Sequence, residues 1–362
     1  MPSAAAATTI SFRKYKLDGA FRSEGVAVAD FNGDGQLDIA AGNVYYAGPD
    51  WRMHPILGEP KEFNRNGYSD AFLCFAEDVN RDGAMDLIVV GSPGQGTHWL
   101  ENPGKVGGAW KKHLAVASTG NESPAYVDLD ADGRRELVFM NGGHCALARP
   151  GKDPYQPWTI CVIADDGDPG AGHGLGVGDI NGDARSDVLI PSGWWEGPVD
   201  KDRLPWTFHP AKLYGGAQLC VWDFDGDGDN DVVGSSPHDY GVSWCEQTPE
   251  GWRTHEVDKS ISQTHALHLA DINGDGLMDF VTGKRFWAHN GHDPGSYEPA
   301  ALCWFEQKRK GGRPEWVKHL IDADSGIGLH LEVVDLDSDG LLDLVISNKK
   351  GVYYFRQVRK LD

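Results

Sequence analysis

The chain has 362 residues, of which 40% are hydrophobic and 10% aromatic, and it holds 13 Trp, 47 Gly and 20 Pro. That composition supplies a packed core and favours short strands joined by turns over long helices. A formal net charge of −21 disfavours nucleic acid and anionic membrane as partners, and no apolar run reaches the roughly 18 residues that a spanning helix needs, so no membrane insertion is expected.

Read in chain order, the opening MPSAAAATTI has neither a basic n-region nor an apolar h-region, so no intact signal peptide is expected there. Ser11–Leu17 (SFRKYKL) reads as a strand. Next comes DFNGDGQLD, flanked by the apolar runs VAVAD and DIAAGN, which reads as strand, tight acidic turn, strand. Its oxygen-bearing residues are Asp30, Asn32, Asp34 and Asp38, at loop positions one, three, five and nine. Trp51 and His54 then open a Trp-x-x-His element. The unit returns as DVNRDGAMD (Asp78, Asn80, Asp82, Asp86), followed by HWLEN from His98 and by Trp110–His113. DLDADGRRE (Asp128, Asp130, Asp132, Glu136) leads to the degenerate Trp158–Cys161. DINGDARSD (Asp179, Asn181, Asp183, Asp187) leads to WWEGP from Trp194 and Trp206–His209.

DFDGDGDND (Asp223, Asp225, Asp227, Asp231) is followed by SWCEQ and Trp252–His255. DINGDGLMD (Asp271, Asn273, Asp275, Asp279) is followed by CWFEQ and Trp316–His319. The last loop, DLDSDGLLD (Asp335, Asp337, Asp339, Asp343), has only two strands after it. Successive loops start 48, 50, 51, 44, 48 and 64 residues apart, the length of one four-stranded propeller blade. The pattern predicts an all-β, seven-bladed β-propeller with a calcium loop between the first two strands of each blade. It forms one domain over 1–362, its ring closed by the N-terminal strand completing the last blade. A closed disc has no edge that demands a partner, so a monomer or dimer is expected.

Carboxylates or amides at alternate positions, with Gly usually sixth, suit a hard cation such as Ca²⁺. These ligand positions hold 24 of the 54 carboxylates; the remaining 30 nearly balance the 33 Lys and Arg. Up to seven structural Ca²⁺ are therefore expected, and sites of this kind point to an extracellular or periplasmic protein. Six Cys lack metal-ligand or disulfide-framework spacing and read as buried free thiols.

The loops resemble the FG-GAP/VCBS repeats of integrin-type propellers and secreted microbial proteins. That resemblance implies the fold and calcium and leaves the activity open.

If the acidic loops share one face, the starts of the first strands and the connections between second and third strands share the other. That face collects Glu24, Asp70, Glu122, His173, His265 and His330 from the former. The latter supply Tyr45, His144, Trp194, His238, Lys284, Arg285, Trp287, His289 and His292. Such convergence reads as a polar site. Two readings follow. One is a carbohydrate lyase or dehydratase working by β-elimination. His173, His238 and His265 would be base or ligands of a metal, Arg285 or Lys284 the positive charge, and Glu122 and Tyr45 proton donors. Glu24, Asp70, His144, Trp194, Lys284, Trp287, His289, His292 and His330 would bind the oxidised, anhydro or uronate sugar. The other reading is a calcium-dependent glycan-binding propeller without catalysis.

The stretches FRSEGVAVADFNGDG, HGLGVGDINGD, SQTHALHLADINGDG and TGKRFWAHNGHDPG resemble the propeller part of the fungal aldos-2-ulose dehydratases and their bacterial relatives. This resemblance implies water elimination from an oxidised or anhydro sugar with a divalent metal such as Zn²⁺ at the propeller.

Overall fold

A computed structural model describes residues 8–163, 173–200 and 203–361. They form antiparallel strands with a single short 3₁₀ turn among them, Ala288–Gly291. The basic unit is a four-stranded meander. In the first, Ala27–Ala29, Asp38–Ala41, Val44–Ala47 and Arg52–Pro55 pair in sequence order, and Leu267–Ala270 to Arg313–Asp322 form another by the same route. A seven-stranded sheet is two such meanders sharing the long strand Lys111–Val127, which pairs with Gln95–Glu101 early and with Glu136–Asn141 late. An eight-stranded sheet joins two more through a short parallel contact of Leu175 with Gln218. The last meander takes its fourth strand from the other end of the chain: Thr8–Asp18 runs antiparallel to Gly351–Leu361.

First strands meet around the middle of the molecule. Ala27–Ala29 touches Leu73–Glu77 on one side and Leu331–Val334, from the last meander, on the other. The apolar core lies between neighbouring meanders. Ala27, Tyr45 and Ala40 of the first pack against Cys74, Leu87 and Trp110 of the second, and Phe224, Trp244 and Val233 pack against Phe280, Cys303 and Phe305. All six Cys are free thiols; Cys74, Cys145, Cys245 and Cys303 are buried.

Two sequence signatures turn out to be one device. The aromatic-x-Glu of the third strand and the Trp-x-x-His of the fourth face each other in register, at Trp99↔His113, Trp194↔His209, Trp244↔His255 and Trp304↔His319. Each imidazole stacks on its aromatic partner, with centroids 4.1–4.5 Å apart. Nε2 of each also meets the following Glu: Glu101, Glu196, Glu246 and Glu306. Tyr45 and His54 form the same stack in the first meander.

Every acidic loop joins the first and second strands of its meander. The ninth-position carboxylate is buried and clamps the turn from inside. In Asp38, Oδ2 accepts the N–H of Phe31 and Oδ1 that of Gly48, and Asp86, Asp187, Asp231, Asp279 and Asp343 repeat the pattern. Burial raises these carboxyls; Asp86, for instance, is pushed up to about 7. The first-position Asp ties the turn from outside: Asp223 accepts the N–H groups of Gly226 and Gly228. Gly226 has φ +77 and Gly228 φ +99, left-handed conformations that Gly enters without a Cβ penalty.

Candidate functional site

The strand starts and the connections between second and third strands bring a polar cluster together. His173 precedes the strand Leu175–Gly178, His238 lies in the turn after Asp231–Ser235, and His265 precedes Leu267–Ala270. Their rings stand 4.5–5.8 Å apart, centroid to centroid, and Nε2 of His173 lies 2.6 Å from Nε2 of His238. His289 joins from the long connection after Asp279–Gly283, its ring 4.4 Å from that of His238. One oxygen, Oδ2 of Asp293, receives Nδ1 of His238 at 3.1 Å and Nδ1 of His289 at 2.9 Å.

Arg285 is the charged centre of the other half. It is 1% exposed. Its Nη1 donates to Nε2 of His265 at 3.1 Å, and the guanidinium lies 3.6 Å from both Glu122 and Glu24. Tyr68 and Lys349 complete the wall, with the Lys349 ammonium 4.3 Å from the Tyr68 ring centre. Burial works against the Glu122 charge, but the neighbouring His265 and the charge of Arg285 outweigh it and hold the carboxyl far below its ordinary value. Burial, aided by Arg285, pushes His265 down to about 3, and burial also lowers His173. Glu24 is raised by burial, with Arg285 and Lys349 opposing. Burial therefore favours unprotonated His173 and His265 beside the Arg285 guanidinium.

The hydrogen bonds dictate the tautomers. A carboxylate only accepts, so Nδ1 of His238 carries a proton, and in the neutral ring its Nε2 lone pair faces Nε2–H of His173. One donor nitrogen from each of His173, His238 and His265 lies within 4.8 Å of the others, a three-imidazole set that suits Zn²⁺. The fit has one condition: if His265 binds through Nε2, a metal must take the lone pair that now accepts from Arg285. Among the acidic loops, Asp128/Asp130/Glu136, Asp223/Asp225/Asp231 and Asp335/Asp337/Asp339 bring carboxylates equally close.

Not every residue expected here joins the cluster. Tyr45 is buried in the core with Phe31 and Trp110, and Trp194 is committed to its stack on His209. Neither reaches the imidazoles, because third-strand aromatics pair sideways with fourth-strand His. His330 is turned aside, with Nδ1 on the carbonyl of Val26 and its ring edge on Phe75. His292 is exposed, and His144 sits at the turn opposite Asn141. Asp70 pairs with Lys61 at a separate cleft of about 460 Å³ that also reaches Tyr68. Lys284 is buried with its ammonium on the carbonyl of Arg285, and Trp287 gives its carbonyl to Lys349. Glu122, expected as a proton donor, is here a charge partner of Arg285, 3.6 Å away, and its carboxyl is held low.

Sequence reasoning missed Tyr68, Asp293 and Lys349. Lys349 had a signal: it occupies the connection between second and third strands in the last meander, just where the other polar residues were collected.

Four-stranded meanders whose first strands gather at the centre, each opened by an acidic turn, define a β-propeller. The FG-GAP-like repeat model matches residues 78–139 and 223–282, and the FG-GAP repeat model matches 24–49. The chain carries FG-GAP repeats over those stretches, within a β-propeller fold. Among solved structures it is similar to an Agrocybe aegerita lectin described as recognising non-reducing terminal N-acetylglucosamine. The identity is 16% and the TM-score 0.50, over 89% of this chain and 82% of that one. It is also matched to the V. cholerae biofilm matrix protein Bap1 at 15% identity and a TM-score of 0.36, over 72% of this chain and 40% of that one. No curated protein sequence matches it. No helix among the described residues is long and apolar enough to cross a membrane.

Proposed function

We propose that the chain is a single seven-bladed propeller, pinned by Ca²⁺ in its acidic loops, that acts outside the cytoplasm as a carbohydrate lyase or dehydratase. The observation that carries this reading is the convergence of His173, His238, His265 and His289 with Arg285, Glu122 and Asp293 on the face away from the acidic loops. In β-elimination a base takes the proton next to a carbonyl or carboxylate. The C–H pair becomes the new C=C bond, and the C–O bond one carbon further breaks, sending its electrons to the leaving oxygen. An unprotonated imidazole of the His173–His238 pair is the base. Arg285 faces the enolate oxygen; its Nη2 lies 3.6 Å from Glu24 and makes no short hydrogen bond among the described residues, so it can turn toward charge that develops during reaction. Tyr68, at the wall beside Lys349, is placed to protonate the leaving oxygen. A divalent metal on His173, His238 and His265 would supply further stabilisation of the enolate when bound. The likeness of the mouth stretches to aldos-2-ulose dehydratases supports the dehydratase form of the reaction.

A different observation favours glycan binding without catalysis. A cleft of about 330 Å³ between two meanders is lined by Trp206, Leu147, Arg149 and Arg185. An aromatic ring beside guanidinium groups suits a sugar face and its hydroxyls.

One experiment separates the readings. The protein is incubated with polyuronates, gum-type glycans and keto- or anhydro-sugars, and unsaturated products are followed by ultraviolet absorbance with and without chelator. Turnover that His173→Ala and His238→Ala abolish supports the lyase. Absence of turnover across the panel, with saturable glycan binding that Trp206→Ala removes, replaces it with the binding module.

A further inference from the structure

We infer that Asp293 is the positioning residue of the cluster, a single carboxylate oxygen that locks His238 and His289 in the Nδ1–H form and so directs the His238 Nε2 lone pair at His173. The inference rests on the proposed site for its purpose, but the geometry stands by itself. Both Nδ1 atoms meet the same oxygen, at 2.9 and 3.1 Å. That is the arrangement of one acceptor serving two donors.

The chain commits a good deal of structure to holding that oxygen in place. Trp287, His289 and Asn290 all adopt left-handed φ between 47° and 55°, conformations that non-Gly residues enter at a cost. The turn closes through the N–H of His292 on the carbonyl of His289 and the N–H of Ser296 on that of Asp293. Ser296 Oγ also donates to the Asp293 carbonyl, and the fully buried Gln263 donates from Nε2 to Ser296 Oγ. Gln263 itself has φ +55 and sits two residues before His265. The strand start that carries one imidazole thus braces the loop that orients two others. Without Asp293, His238 could rotate or change tautomer, and its Nε2 would lose its defined role as acceptor or ligand. Outer carboxylates that hold a ligating imidazole typically govern metal affinity by about 10–100-fold.

The test is Asp293→Asn, which keeps the shape and replaces the shared acceptor oxygen with an amide that can donate. Histidine ¹⁵N NMR on the metal-free protein reads each tautomer directly. The wild type should show His238 and His289 as Nδ1–H, and the variant should show His238 losing that form. Titration with Co²⁺, followed by its visible absorption, should give one ion per chain in the wild type and an affinity about 10–100-fold lower in the variant. Asp293→Glu should restore part of it. Ser296→Ala, which loosens the brace and leaves every charge in place, should fall between the two. Unchanged tautomers and unchanged Co²⁺ affinity in Asp293→Asn would overturn the inference. So would a second Co²⁺ that the variant deletes while the first stays tight, because Asp293 would then be a ligand in its own right. If the wild type shows the tautomers but binds no Co²⁺, the positioning role stands and the metal in the proposed mechanism falls.

Discussion

Replacing Arg285 by Met probes both the stability and the chemistry of the cluster. The guanidinium is 1% exposed and lies 3.6 Å from each of two carboxylates, Glu24 and Glu122. At an effective dielectric of about 20, each attraction is worth about 4–5 kcal/mol before dehydration is subtracted. Deleting one member of a buried ion pair costs about 3–5 kcal/mol, because the partner charge is stranded. Glu24, also 1% exposed, is the group left stranded here. Arg285→Met should therefore lower the urea midpoint by an amount equivalent to about 3–5 kcal/mol, read from the fluorescence of the 13 Trp. Adding Glu24→Gln should recover more than half of that loss. Turnover should fall by about 10²–10³-fold in the single variant and stay down in the double, since neither supplies a donor to the developing oxyanion. A single variant as stable as wild type, or a double variant no better than the single, would refute the account of Arg285 as a buried charge held by two carboxylates.

Two further outcomes concern the rest of the disc. Chelation should lower the thermal midpoint and millimolar Ca²⁺ should restore it, with Asp223→Ala reducing the bound calcium by one ion per chain; a midpoint indifferent to chelator, with no calcium found by elemental analysis, would remove the metal from the loops. Burial pushes Glu332, in the first strand of the last meander, up to about 7, with Arg135 opposing. A raised carboxyl favours the native state while it is protonated, and that benefit is lost as pH rises from about 4.5 through 7. Partial solvent access trims the effect to about 1–2 kcal/mol. Glu332→Gln should therefore gain stability relative to wild type between pH 5 and 8, and a constant difference across that range would contradict the shift.

The strand–loop–strand units and the acidic turns were legible from residue order, because each is local. Alternation, a Gly able to take a left-handed φ and a ninth carboxylate that reaches back seven residues all act within one turn. The pairing of the N-terminal strand with the last one followed from counting Trp-x-x-His elements, since an unpaired fourth strand at one end matched a gap at the other. What residue order does not carry is the sideways direction of a side chain. Tyr45 and Trp194 stand at the right places along their strands for the mouth, yet register puts them opposite His54 and His209, and stacking claims them. Nor could spacing show that Glu24, Glu122 and Lys349, far apart in the chain, surround Arg285, or that one oxygen of Asp293 serves two imidazoles. Tertiary packing decides those contacts: first strands far apart in the chain become neighbours, as Ala27–Ala29 does with both Leu73–Glu77 and Leu331–Val334. Burial and neighbouring charge then set the charge states together: burial lowers His173 and His265, while His265 and Arg285 hold Glu122 low against it.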